Sequence, residues 1–250
     1  LLAFFGENQV QKMKRVIWVT GGKGGTGKST FARGALDTLL TSGVNVRAFD
    51  GDAENPQLYR YYQGMGNGVV RTRLAERDGG DDILQAMEEE KPDVILADVA
   101  AGGSQILMRL QDDSLFLSSA QEMDYDFIIV SVISPIKDSV NMLKETMDST
   151  EGNFVPHVAV KNLKYGRDDE IELFDSSRTK ERFEKAGGVV ITMRDLMDRT
   201  YGAIDRENLP FSTAAKKAGG LPIQGDRNRV RQWLICLRDQ MAAANGAFGL

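Results

Sequence analysis

Short apolar runs recur along the chain with helix-length stretches between them, and this alternation predicts the architecture. Residues 16–20, 44–49, 94–97, 127–132, 158–160 and 189–191 read as strands. Each is a near-continuous aliphatic run of a length that suits a strand buried on both faces. Residues 30–40, 83–90, 139–147 and 179–186 read as helices, and a last helix, 227–241, follows the final strand. The alternation predicts a single α/β domain: a mostly parallel six-stranded β-sheet with helices on both faces. Such sheets bind ligands at the carboxyl ends of their strands. Residues 63–80, rich in Gly and Arg, show no period and are expected to form a surface excursion, either a plain solvated connection or a partner-contacting loop.

Composition narrows the class. The 250 residues are 42% hydrophobic and 27% charged, enough for a full core. A net charge of -5 argues against a dedicated nucleic-acid coat, because affinity for phosphate backbones comes from clustered Lys and Arg. A single cysteine, Cys236, rules out an intramolecular disulfide and a cysteine-based zinc site. That usage suits a reducing cytoplasm. No apolar run approaches the ~18 residues that cross a bilayer, so a soluble, cytoplasmic protein without integral membrane association is expected. The opening LLAFFGENQVQK lacks a positive leader and a small-residue cleavage site, and Met13 directly precedes the first strand pattern. Residues 1–12 are therefore expected to be an added or variable extension, and 13–250 the domain.

The strongest chemical signal is Gly22-Lys23-Gly24-Gly25-Thr26-Gly27-Lys28-Ser29, which satisfies G-x-x-x-x-G-K-[ST] between an apolar strand and a helix. Glycines let the backbone curl until successive N–H groups point at phosphates, while the following helix offers its positive end. Lys28 is expected to bridge the β- and γ-phosphates, Ser29 to ligate Mg²⁺ and Thr30 to donate to the α-phosphate. The strand Val94-Ile95-Leu96-Ala97 ends in Asp98, a Walker B pattern that would hold Mg²⁺ through water. Asp50 and Asp52 stand two apart at another strand end, where a carboxylate can hold a water in line or simply close an Asx turn.

Lys23 is a cation an ordinary phosphate loop does not need. With it, residues 23–29 resemble the deviant Walker A motif of the ParA/MinD superfamily of ATPases, and the resemblance extends over about residues 15–241. It implies that Lys23 reaches across an ATP-dependent homodimer to the partner's nucleotide, a cation supplied in trans as the γ-phosphoryl leaves. A solvated lysine is the plainer alternative. It also implies that Asp52 orients the attacking water, that Asp50 supports the Mg²⁺ shell, and that Asn162, after Val158-Ala159-Val160-Lys161, reads the adenine edge unless it merely caps a turn. One departure is Val99-Ala100-Ala101-Gly102-Gly103, which lacks the family's proline after the Walker B acid and leaves the shape of the γ-phosphate-sensing loop open. GKGGTGKST, FDGDAENPQ and VAVKNL are most similar to the plasmid-encoded branch with StbB-like and TraL-like proteins. That branch implies plasmid stability or conjugative transfer, a plasmid-encoded adaptor protein as partner and non-specific DNA as a second one.

The last helix carries Arg227, Arg229, Arg231 and Arg238 against Asp226 and Asp239. Core packing is expected of it rather than membrane binding, with its arginines either a modest DNA-facing patch or a solvated face. His157 has no neighbour that would make it a base or a metal ligand. Two other functions fit the same scaffold: a small-molecule ligase resembling dethiobiotin synthetase, and a non-hydrolysing nucleotide-binding adaptor.

Overall fold

The computed structural model describes residues 14–22, 24–151, 155–165 and 171–250; the 1–12 extension and Lys23 lie outside the described residues. Seven strands form one sheet: β1 (Lys14–Gly21), β2 (Val46–Asp50), β3 (Val69–Arg71), β4 (Val94–Asp98), β5 (Tyr125–Ile133), β6 (His157–Asn162) and β7 (Val189–Met193). Their order is β3-β2-β4-β1-β5-β6-β7, and every neighbouring pair is parallel. The helices are α1 (Lys28–Thr41), α2 (Gln57–Tyr62), α3 (Asp81–Gln85), α4 (Gly103–Ser114), α5 (Phe116–Glu122), α6 (Lys137–Thr150), α7 (Glu172–Asp175), α8 (Arg178–Lys185), α9 (Asp198–Arg206), α10 (Phe211–Ala214) and α11 (Gln224–Ala242).

Alternation along β1 explains the layers. Ile17 and Val19 face a core with α1, α2, α9, α10 and α11, while Val16 and Trp18 face a second core with α3, α4 and α5. A third cluster packs α6, α7 and α8 onto β5 and β6. Side chains two apart in a strand share a face, so a run apolar at every position must be covered on both sides. Trp18 anchors the second face, 6.0 Å from Phe116 and 5.8 Å from Phe127 between ring centres, with its indole N–H donating to the Gly103 carbonyl at 3.1 Å.

Three expectations change. The sheet has seven strands, not six, and the extra one lies within the supposed excursion at 63–80. There Val69–Arg71 pairs with Ala48–Asp50, and Leu74 behind it is fully buried. Three residues are too few to show a period. The helix expected at 83–90 instead begins at Asp81 and passes into a π-helical turn, Ala86–Glu90, ended by Lys91 in the left-handed region at φ 48°. Finally, α2, α4, α5, α7, α9 and α10 had no expected counterpart.

The last helix packs as expected: Val230, Trp233, Leu237 and Met241 are buried against the α1 side. Its arginines are mostly engaged locally. Arg227 donates to the Leu221 and Pro222 carbonyls, Arg231 to the Ala215 carbonyl, and Arg229 pairs with Asp226 at 2.9 Å. Among the described residues no helix is long and apolar enough to cross a membrane.

The α1–α11 contact is close because α1 carries Gly34 there. A Cβ at Gly34 would lie 2.5 Å from Leu237 Cδ2 and 2.7 Å from the Trp233 ring. Gly34→Val should therefore destabilise the fold by about 1–3 kcal/mol through overpacking, read as a lower thermal midpoint. An unchanged midpoint would mean that α11 does not sit where the structure places it.

Candidate functional site

β1 ends in mid-sheet between β4 and β5, and the chain turns from it through Gly22 and 24–27 into α1. Gly25 and Gly27 have φ of 92° and 98°, values that L side chains rarely adopt. Gly27 is the N-cap of α1 and offers no side-chain acceptor, so the first-turn N–H groups face outward from the helix end. They open into a cleft of about 310 Å³ lined by loop glycines, Lys28, Ser29, Thr30, Asp52 and Asn162.

The loop is latched from behind. The Asn162 amide, at the end of β6, donates to the Thr26 carbonyl at 2.8 Å, and its Oδ1 accepts from the Lys164 N–H at 3.1 Å. A Cβ on Gly27 would sit 2.3 Å from that amide nitrogen. Asn162 thus caps its own turn and at the same time fixes the loop beside the cleft.

Lys28 is nearly buried, and its ammonium donates to the Gly22 carbonyl at 3.3 Å. Burial pushes its pKa down, opposed by the charges of Asp98 and Asp52. Asp98, at the carboxyl end of β4, lies beside Asp50 of β2 in the strand register. Burial, and then the neighbouring Asp50, push the Asp98 carboxyl up to about 7 against a hydrogen bond from Ser29 and the charge of Lys28. Its Oδ2 is buried without a hydrogen-bond partner. A buried carboxylate oxygen with no donor, next to a hydroxyl, is a donor set a hard divalent cation fits. Among the described residues there is no cluster of three or more His, Cys, Asp or Glu suited to a metal. A cation here would take its remaining ligands from phosphate and water, as Mg²⁺ commonly does.

The two aspartates expected to work together are placed differently. Asp50 accepts from the N–H groups of Asp52 at 3.1 Å and Tyr59 at 2.8 Å, so each oxygen anchors the turn into α2, and burial raises its pKa to about 6. Asp52 reaches the cleft, and its Oδ1 accepts from Glu54 N at 3.1 Å and Asn55 N at 2.9 Å, closing an Asx turn. Thr30 accompanies Ser29 into the cleft, with its hydroxyl 3.1 Å from that of Tyr201.

Sequence reasoning missed the far wall, formed by Lys164, Arg194, Asp195, Leu196, Tyr201 and Trp233. These residues come from the turn after β6, the loop after β7, and helices α9 and α11. No motif marks them; the only available signal was that loops following parallel strands converge at one edge of the sheet. In the altered segment after Asp98, Gly102 has φ 84° and caps α4, while Gly103 lies so close to Thr20 that a Cβ would meet its Oγ1 at 2.4 Å.

No protein-family model matches the chain. Protein MobD of Acidithiobacillus ferrooxidans is 29% identical over 222 residues, 88% of this chain and 93% of that protein. Among solved structures, the septum site-determining protein MinD of Pyrococcus horikoshii OT3, complexed with Mg-ADP, aligns with a TM-score of 0.53 at 18% identity, over 94% of this chain and 99% of its own. The apo McdA of Cyanthece aligns at 0.52 with 13% identity, covering 88% and 99%. MinD in the MinC:MinD cell division complex of Aquifex aeolicus aligns at 0.52 with 15% identity, covering 87% and 94%. At these identities the likeness concerns architecture: the chain has the single-domain α/β fold of the MinD-like P-loop proteins.

The raised carboxyls set a pH dependence. A buried acid whose folded pKa exceeds its unfolded one binds a proton in the native state across the interval between them. Stability is therefore lost as pH rises through that interval. For Asp98 the interval runs from the ordinary carboxylate range to about 7. Without metal or nucleotide, wild type should lose thermal stability between about pH 4 and about 7, and Asp98→Asn should lose distinctly less. Parallel pH profiles of the two would remove Asp98 as the source.

Proposed function

We propose that the chain is a ParA/MinD-type ATPase that binds ATP with Mg²⁺, dimerises across the nucleotide and hydrolyses it slowly, so that the nucleotide state times partner binding. The observation that carries this reading is the uncapped head of α1, entered through Gly27 and flanked by Lys28 and the partnerless Asp98 oxygen. N–H donors, a cation and an unpaired carboxylate oxygen close to one another support a polyphosphate site with a divalent cation.

In this reading Lys28 leaves the Gly22 carbonyl for the β- and γ-phosphate oxygens. Ser29 and Asp98 hold Mg²⁺, which when bound neutralises charge on the phosphates. Asp52, its orientation fixed by its own turn, positions the attacking water. Lys23 acts in trans across the dimer. The resemblance to the plasmid-encoded branch, together with the likeness to MobD, supports a cytoplasmic role in plasmid stability or conjugative transfer, with a plasmid-encoded adaptor and non-specific DNA as partners.

A second reading, a nucleotide-binding adaptor without turnover, draws on one observation: the Asp52 Oδ1 already closes an Asx turn. Turnover separates the two. Asp52→Ala should keep ATP binding and lower hydrolysis about a hundredfold or more, accumulating the ATP-bound dimer. Wild-type protein that binds ATP and never releases phosphate would favour the adaptor.

Light scattering during size exclusion, with ADP, ATP or a slowly hydrolysed ATP analogue, tests the dimer. Wild type should double in mass with ATP and the analogue but not with ADP, and Lys23→Ala should stay monomeric. A mass indifferent to nucleotide would sink the trans-lysine switch. Lys28→Ala should bind ATP at least tenfold more weakly; unchanged affinity would remove the loop assignment.

A further inference from the structure

Arg33 lies on α1 one turn beyond Thr30 and is fully buried. Its guanidinium carbon lies 3.5 Å from the ring centre of Tyr61, 4.7 Å from Phe211 and 5.6 Å from Tyr201. Nη1 donates to the Tyr201 hydroxyl at 3.1 Å, while Nε and Nη2 are buried with no hydrogen-bond partner. Asp37, one turn further along α1, gives Arg33 no hydrogen bond: its Oδ2 accepts from the Tyr62 hydroxyl at 2.8 Å and the Ser212 N–H at 2.6 Å, and its Oδ1 is buried with no partner. Aromatic faces recover only part of the cost of desolvating a guanidinium. The Arg33 charge also acts on the Tyr61 and Tyr62 hydroxyls, but the hydrogen bond from its side chain goes to Tyr201.

Tyr201 joins this charge to the cleft. Its oxygen is 3.1 Å from Arg33 Nη1 and 3.1 Å from Thr30 Oγ1. A guanidinium can only donate, so the tyrosine oxygen accepts from Arg33. Either hydroxyl can donate in the Tyr201–Thr30 bond, and the relay takes Tyr201 as the donor, with Thr30 Oγ1 accepting its hydrogen. Once Thr30 accepts there, its own hydrogen is free to point into the cleft. The Lys164 ammonium, 5.5 Å from the Tyr201 ring centre, adds a second positive charge beside the same ring. Hydrogen bonds linked in series polarise one another, and a cation at the head of the series strengthens the last donor.

We infer that Arg33, Tyr201 and Thr30 form a donor relay that aims the Thr30 hydroxyl hydrogen at an anionic α-phosphate oxygen, with Tyr201 as its positioning residue. The inference rests on the nucleotide reading above. The relay ties α9, which sequence motifs do not mark, to the head of α1. It also gives the buried cation a role beyond packing: its charge reaches the phosphate through two hydroxyls instead of by direct contact.

The test is equilibrium binding, in the presence of Mg²⁺, of ATP and of the two diastereomers of ATP that carry sulfur on the α-phosphorus. These differ in which non-bridging position offers a good acceptor. Wild type should prefer one diastereomer. Tyr201→Phe keeps the ring over Arg33 and should fold, with its melting temperature without nucleotide as the check. It should bind ATP about tenfold more weakly and lose most of the preference. Thr30→Val should do the same, the double variant should be no worse than Thr30→Val alone, and Thr30→Ser should restore the preference. Should Tyr201→Phe not fold, Arg33→Lys removes the fixed fork while keeping the charge, and it too should weaken the preference. Additive losses in the double variant, or an undiminished preference in Tyr201→Phe or Arg33→Lys, would overturn the relay and leave the nucleotide reading standing. Wild type that binds neither ATP nor its thio analogues would overturn both.

Discussion

Gly27 enters α1 at φ 98° with no side-chain cap, so the N–H groups of the first helical turn have to find their acceptors outside the helix. Serine, threonine or aspartate at that position would satisfy one of them internally. Glycine leaves them without a side-chain acceptor, and the rest of the loop follows from that choice. The left-handed geometry forbids a side chain, the missing side chain admits the Asn162 amide, and that amide pins the Thr26 carbonyl. A strand buried on both faces stands behind the loop and keeps its position from drifting.

Around this loop the charges are deliberately unequal in their surroundings. Asp50 and Asp98 lie side by side at the ends of adjacent strands, both removed from water, and both hold their protons more tightly than an ordinary carboxyl. They differ in what they touch. Asp50 gives its oxygens to backbone N–H groups and so behaves as part of the turn into α2, whereas Asp98 keeps one oxygen unpaired beside Ser29. Of two acids that look alike in the sequence, one has both oxygens engaged by backbone N–H groups and the other keeps one oxygen unpaired. Arg33 repeats the pattern with the opposite sign: a buried charge lacking full compensation, connected to the cleft through Tyr201.

The comparisons with MinD and McdA concern the frame rather than this chemistry. Such a sheet can host many functions on the loops at its carboxyl edge, so the functional reading has to come from the residues in those loops. Here the near wall, Gly24, Gly25, Gly27, Lys28, Ser29, Thr30 and Asp52, carries the residues of the sequence motif. The far wall, Lys164, Arg194, Asp195, Leu196, Tyr201 and Trp233, closes the cleft on the opposite side.

The sequence by itself determined the sheet class, its parallel sense, the glycine-rich turn between β1 and α1, and the acid that ends β4. Each depends on contiguous residues: runs apolar at every position have to be buried on both faces, and a glycine-rich turn between strand and helix has few other uses. It did not show β3, because three residues carry no period, nor that Asp50 serves its own turn, because hydrogen-bond partners nine residues away leave no trace in spacing. Only the tertiary structure brought Tyr201 to Thr30 and Arg33, 171 and 168 residues apart in the chain. Local pattern is written by burial, which acts residue by residue, whereas a site wall assembled from the ends of several strands exists only after the sheet has closed.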